Sequence, residues 1–145
     1  MPQPTILHES QIEGAFRGFN RDVLFILRDG SKWIQAEYKY WYHYAYSPEA
    51  QILDIDGDTY LQIVGEPERV RVNPACNVIQ STINGTFSGW SGDSEYELDN
   101  GQVWKQASYK YEYKYAYRPD VVIYDTPSGT VMSVEETIAY VRRMR

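Results

Sequence analysis

Two histidines, His8 and His43, and one cysteine, Cys76, are the only side chains in this 145-residue chain that could act as a neutral-pH base or a thiol nucleophile. His8 lies near the start, His43 falls inside a run of aromatics where the chain's other half has Lys114, and Cys76 lies between two similar segments. None has a partner at a spacing that would activate it, so no enzyme, no catalytic residue and no cofactor is expected. With two histidines and one cysteine there is no zinc ligand set either. Asp54-Ile55-Asp56-Gly57-Asp58 places three carboxylates at alternate positions, as a calcium loop does, but Thr59 stands where that loop needs glycine and Gly65 where it needs glutamate. A hairpin loop is the expected reading. Glu95 and Glu97 read as a solvated strand face rather than an acid and base pair.

The residue type that is over-represented is tyrosine, with 14 copies. Tyr38, Tyr40, Tyr42, Tyr44 and Tyr46 recur at period two, and Tyr109, Tyr111, Tyr113, Tyr115 and Tyr117 repeat the pattern, so in an extended chain each set shares a face. The chemistry available to such a ladder is contact: stacking, groove formation and hydrogen bonding through the phenol. Lys39, His43, Lys110, Lys114 and Arg118 are interleaved with the rings and could neutralise phosphates while bases stack. The charge balance opposes that partner. Lys and Arg number 14 against 20 Asp and Glu, a net charge of −6, and neither half of the chain is basic. The start, Met1-Pro2-Gln3-Pro4, has no cationic head or apolar run, and no stretch is apolar enough to span a bilayer. A cytoplasmic protein with no membrane partner is expected.

The elements that position these residues come in two copies. A shift of 71 residues lays 10–74 over 81–145 without a gap, and 24 of the 65 pairs are identical. This is a tandem duplication, and it divides the chain into a leader at 1–9, a repeat at 10–72, a linker at 73–80 and a second repeat at 81–145. Units of about 60 residues lie near the lower limit for an independent core, so the two are expected to support one another.

Within each repeat the apolar spacing is two. Ile12-x-Gly14-x-Phe16 and Ile83-x-Gly85-x-Phe87 alternate, as do Tyr96-x-Leu98 and Arg69 to Val72, with Gly, Asp, Asn and Pro between the runs. Ser133-x-x-Glu136 resembles a helix capping box. Its counterpart contains Gly65-Glu66-Pro67, which breaks a helix, so the tail is expected to run strand, short turn, strand. Five or so strands per unit predict an all-β chain of two small SH3-like barrels. One hairpin can be placed in register. A two-residue turn at Asn100-Gly101 would set Glu97 against Trp104; a three-residue loop with glycine in the left-handed position instead pairs Tyr96 with Trp104 and Glu95 with Lys105, which suits both faces. That register makes Phe25, Leu27, Trp33, Tyr96, Leu98 and Trp104 core residues.

The copies differ on the outer face. Where the second repeat has Glu95, Glu97, Lys105 and Glu112, the first has Leu24, Ile26, Ile34 and Trp41. The first repeat therefore needs a cover, and these four residues join the ten ladder tyrosines as candidate interface or ligand positions. Ten tyrosines exceed the patch a monomer normally exposes, so most are expected to be buried against protein, with Lys39, Trp41, His43 and Ala45 on the solvent side. A homo-oligomer follows as the first expectation. A peptide or protein held on an open aromatic platform is the second.

The string Ile83-x-Gly85-x-Phe87-x-Gly89-Trp90-x-Gly92-Asp93, followed by Leu98-x-Asn100-Gly101-Gln102-x-Trp104-x-Gln106 and the Tyr-x-Tyr run ending at Tyr117-x-Pro119, resembles a group of small bacterial proteins of uncharacterised function. That group is associated with SH3-like repeats and with the hypothetical proteins of mobile, integron-type gene cassettes. The resemblance covers both repeats and is clearer in the second, since the first has Phe19, Asn20 and Arg21 at the positions of Trp90, Ser91 and Gly92. It implies an accessory role in the cytoplasm and no particular activity, cofactor or catalytic residue.

Overall fold

The structure, a computed structural model, describes residues 3–145. It is all-β: among the described residues none is helical. The chain divides into two compact units that meet in sequence between Ala75 and Cys76.

The first unit contains β1 (Thr5–Gln11), β2 (Ala15–Phe19), β3 (Leu24–Ile26), β4 (Lys32–Gln35), β5 (Trp41–Tyr46), β6 (Glu49–Ile55), β7 (Asp58–Ile63) and β8 (Arg69–Pro74). Six of these form an antiparallel sheet in the order β1-β6-β7-β8-β4-β3, and β2 pairs with β5 in a separate two-stranded ribbon. The second unit has the same plan. Strands β9 (Ile79–Thr82), β14 (Asp120–Thr126), β15 (Gly129–Val134), β16 (Thr137–Arg143), β12 (Val103–Gln106) and β11 (Glu95–Glu97) lie in that order, with β10 (Thr86–Ser91) and β13 (Tyr111–Tyr117) as the ribbon. Each unit has its own core. Phe16, Phe19, Phe25, Trp33 and Leu61 lie at the centre of the first, and Phe87, Trp90, Tyr96, Trp104 and Met132 at the centre of the second.

Residues 5–9 of the expected leader are part of a sheet. Residues 5–11 form β1 and pair with β6 from Thr5↔Asp54 to Gln11↔Glu49. The alternating chain of β6 leaves an unpaired edge, and β1 satisfies its backbone groups. Half of the expected linker is strand as well, since β8 runs to Pro74 and β9 begins at Ile79.

The predicted hairpin has the expected register, and its counterpart in the first unit pairs in the same way. Tyr96 opposes Trp104 and Glu95 opposes Lys105, while Phe25 opposes Trp33 and Leu24 opposes Ile34. The N–H of Gly101 donates to the carbonyl of Leu98 and the N–H of Leu98 to that of Gln102, closing a three-residue loop in which Gly101 has φ 88°. The tail also runs strand, turn, strand. Glu135 and Glu136, at φ 47° and 72°, make the two-residue turn between β15 and β16. Asp56-Gly57 turns β6 into β7 in the same way, and the described residues contain no group of carboxylates placed to hold a metal.

The gap-free alignment fails at the last strand. Gln35 faces Val72, whereas the equivalent Gln106 faces Val141, so structurally matching positions there differ by 69 rather than 71. The two extra residues lie in the β7–β8 connection, which spans 64–68 and contains Gly65-Glu66-Pro67, where β15 and β16 are joined by a two-residue turn.

Candidate functional site

The ribbons carry the tyrosines, and an unusual close approach fixes their shape. Phe87 and Trp90 both point into the core although they are three residues apart, so alternation breaks between them at Gly89, which has φ 97°. A Cβ on Gly89 would lie 1.9 Å from the carbonyl oxygen of Glu112, and one on Gly18 equally close to that of Trp41. Only glycine allows β2 and β10 to cross their partner strands so tightly. The kink lies in β10, and alternation along β13 is unbroken: Tyr111, Tyr113, Tyr115 and Tyr117 are exposed, and Glu112, Lys114 and Ala116 are half-buried.

This face assignment reverses the sequence expectation. The ten ladder tyrosines are 52–82% exposed, from Tyr44 to Tyr109. Trp41, His43 and Ala45, expected on the solvent side, face inward. Trp41 packs at 5.1 Å from Phe19 and 6.2 Å from Phe16, and its ring stacks on His43 at 4.9 Å with the planes 2° apart. In the second unit the inward polar residues are tied down by hydrogen bonds. The Trp90 indole N–H donates to Thr137 Oγ1 at 2.9 Å, and the Thr137 hydroxyl donates to Glu112 Oε1 at 3.0 Å. The indole has thus moved between strands, from position 41 in one copy to position 90 in the other, with Phe19 and Glu112 filling the vacated places.

Of the other candidates, Ile34 is buried, and Leu24 and Ile26 are half-buried on β3. Trp41 is on the core side of β5, so the four do not form one outward patch.

Sequence reasoning missed the residues that hold the ladders in place. Gln106 is buried; its Oε1 accepts from the N–H groups of Ser91 and Gly92, and its Nε2 donates to the carbonyls of Ser108 and Lys110. Gln35 does the same in the first unit, taking the N–H of Asn20 and giving to the carbonyls of Glu37 and Lys39. Each amide ties the coil that starts a ladder to the end of the neighbouring strand. The signal was present, because Gln35 and Gln106 are identical in the repeat and lie just before each ladder.

The ladders differ in their cations. The Arg17 guanidinium lies 5.4 Å from the centre of the Tyr44 ring and that of Arg21 lies 5.0 Å from Tyr38. Ser88 and Gly92 stand at those positions in the second unit, where the Tyr109 ring would lie 3.2 Å from a Cβ on Gly92. One ladder is capped by positive charge and the other is bare.

Each ladder presents on the order of 600–700 Å² of tyrosine surface, taking about 200 Å² per ring. That exceeds the roughly 300–600 Å² of the largest patch on a typical monomer. The titratable groups offer little beside it. Hydrogen bonds from the Ser31 hydroxyl and backbone N–H hold the Asp29 carboxyl below its ordinary range, and burial pushes the Tyr96 phenol up. Cys76 is exposed and free. No helix among the described residues is long and apolar enough to cross a membrane. Comparison with protein-family models, with curated proteins and with solved structures yields no match to this chain.

Proposed function

We propose that the chain is a non-enzymatic binding or assembly protein of two SH3-like modules, derived by duplication, whose tyrosine ladders are its contact surfaces. The observation that carries this reading is the outward display of ten tyrosines, seven of them on β5 and β13, whose inner faces are already packed or hydrogen-bonded. Exposure of that much ring surface is costly unless something covers it part of the time. The repeated strand order supports the duplication, and the cassette-type family resemblance supports an accessory, cytoplasmic role. Self-association is the first use of the surface.

A second reading is capture of an extended ligand, a single-stranded nucleic acid, a glycan or a peptide. It is favoured by Arg17 and Arg21 stacked over Tyr44 and Tyr38, which join a cation to an aromatic platform. The net charge of −6 weighs against the nucleic acid.

Solution mass over a range of concentrations, together with a screen against peptide, glycan and oligonucleotide panels, tests both. A concentration-dependent mass that vanishes in Y111S/Y113S/Y115S supports assembly. Panel binding lost on R17A/R21A supports the second use. A monomer that binds nothing on any panel overturns the proposal.

A further inference from the structure

The side of β13 away from β10 is an open sheet edge. Among the described residues β13 has β10 as its one strand neighbour. The carbonyl of Glu112 and the amide of Lys114 lie against Gly89 of β10. By antiparallel alternation, the intervening Tyr113 turns its own N–H and C=O toward the opposite, unpaired side. Tyr111 follows by the same alternation, and beyond Tyr113 the register with β10 shifts by one residue before Ala116. The seven-residue stretch Tyr111–Tyr117 is rich in β-formers, contains neither proline nor glycine, and has no net charge.

Other unpaired strands are blunted. β3 and β11 have three residues each and β9 has four. On β13 the guard is chemical. Glu112 and Lys114 point to the inner face, so a strand with apolar inner residues would bury two charges against itself. One kind of partner satisfies both: a strand that sets lysine opposite Glu112 and glutamate opposite Lys114. The chain supplies that strand itself. In an antiparallel pair centred on Tyr113, residue numbers across the interface sum to 226. Glu112 then faces Lys114 twice, Tyr111 faces Tyr115 twice, and Tyr113 faces Tyr113. Strand β5 has no such arrangement, because the same operation about Tyr42 sets Trp41 against His43.

We propose that two copies of this chain join edge to edge through β13, antiparallel about Tyr113, fusing their ribbons into one four-stranded sheet in the order β10-β13-β13-β10. This goes beyond the assembly reading above: it places self-association at the strand edge and leaves the tyrosine face open. The partner copy completes the surface: the ladder doubles in width, and each Glu112 finds a Lys114 from the other copy. The tyrosines remain outward, so the dimer widens the platform rather than covering it.

The test is sedimentation equilibrium of the full chain from micromolar to hundreds of micromolar, with near-UV circular dichroism to confirm folding. Wild type is expected to dimerise. Lys114→Glu sets like charges opposite each other twice and is expected to weaken the dimer by about tenfold or more. Lys114→Gln should fall between the two, and the charge-swapped E112K/K114E should restore association to near wild type. Because Glu112 also accepts from Thr137, the swap is read only if its near-UV spectrum is native. The Lys114 pair carries the test otherwise. Association unchanged by Lys114→Glu and Lys114→Gln, but lost in Y111S/Y113S/Y115S, overturns the edge pairing and leaves assembly through the tyrosine face standing. A strict monomer overturns the edge pairing and leaves the ladder to its ligand panels.

Discussion

Tyr96 shows how one side chain adjusts to its place. It sits where the first unit has Phe25, and its hydroxyl donates to the carbonyl of Gly89, at 2.7 Å, beside the backbone kink. Burial raises its pKa above the ordinary phenol value. A raised pKa means the folded state holds the proton more tightly than the unfolded chain, so the stability it contributes is present below about pH 10 and lost as pH rises through the folded value. The second unit should therefore weaken in alkali, and Tyr96→Phe should flatten that dependence in thermal melts above pH 10. Identical slopes for the two proteins would refute the assignment. Asp29 acts at the other end of the scale. Its pKa is lowered by Ser31, so its contribution is present above about pH 4 and lost as pH falls through the folded value. Gln106 makes four hydrogen bonds from one buried amide. Gln106→Ala should cost about 1–3 kcal/mol, since it removes the side-chain partner of four backbone groups. A melting temperature equal to wild type would show that water replaces the amide.

At the scale of elements, the two copies reach the same geometry with exchanged parts. Arg28 reaches across to Ser47 in the first unit, and Arg118 reaches back to Asp99 in the second, so the cation has changed ends between equivalent positions. The Trp90–Thr137–Glu112 chain has no counterpart in the first unit, where Trp41 fills the space with carbon. Thr137→Val should leave the indole N–H buried and unpaired at a cost of about 1–3 kcal/mol, measurable by chemical denaturation. These elements were legible in part. The hairpin register could be argued because mismatched pairs such as Glu97 with Trp104 exclude the alternative. The turn at Glu135-Glu136 followed from its proline-containing counterpart. The faces of β5 and β13 were not legible, because burial was assigned by apolarity. The aliphatic stems of Glu112 and Lys114 can cover a core while their heads find partners, leaving tyrosine to face water. The unequal β7–β8 connection was hidden too, since Val70-Arg71 happens to match Val141-Arg142 when no gap is allowed.

For the molecule as a whole, the surface and the cores answer to different residues. Y111S/Y113S/Y115S removes three rings that are 62–72% exposed, so each unit should keep its melting temperature to within a few degrees while association or ligand capture is lost. A collapse of the fold in that variant would mean the ladder is structural. The candidate surface could be named from the sequence because the tyrosines are many and regularly spaced. The direction in which they point does not follow from their spacing, since period two fixes only that they share a face.

That separation equips the protein with two optical reporters. Trp33, Trp90 and Trp104 are buried, and Trp41 is packed against a core. Emission excited in the indole band therefore follows folding, whereas solvent-perturbation absorbance of the phenols follows the ladders. A molecule that settles on the ladders should shift the phenol signal and leave indole emission where it was, so occupancy and unfolding can be told apart in one cuvette without a label.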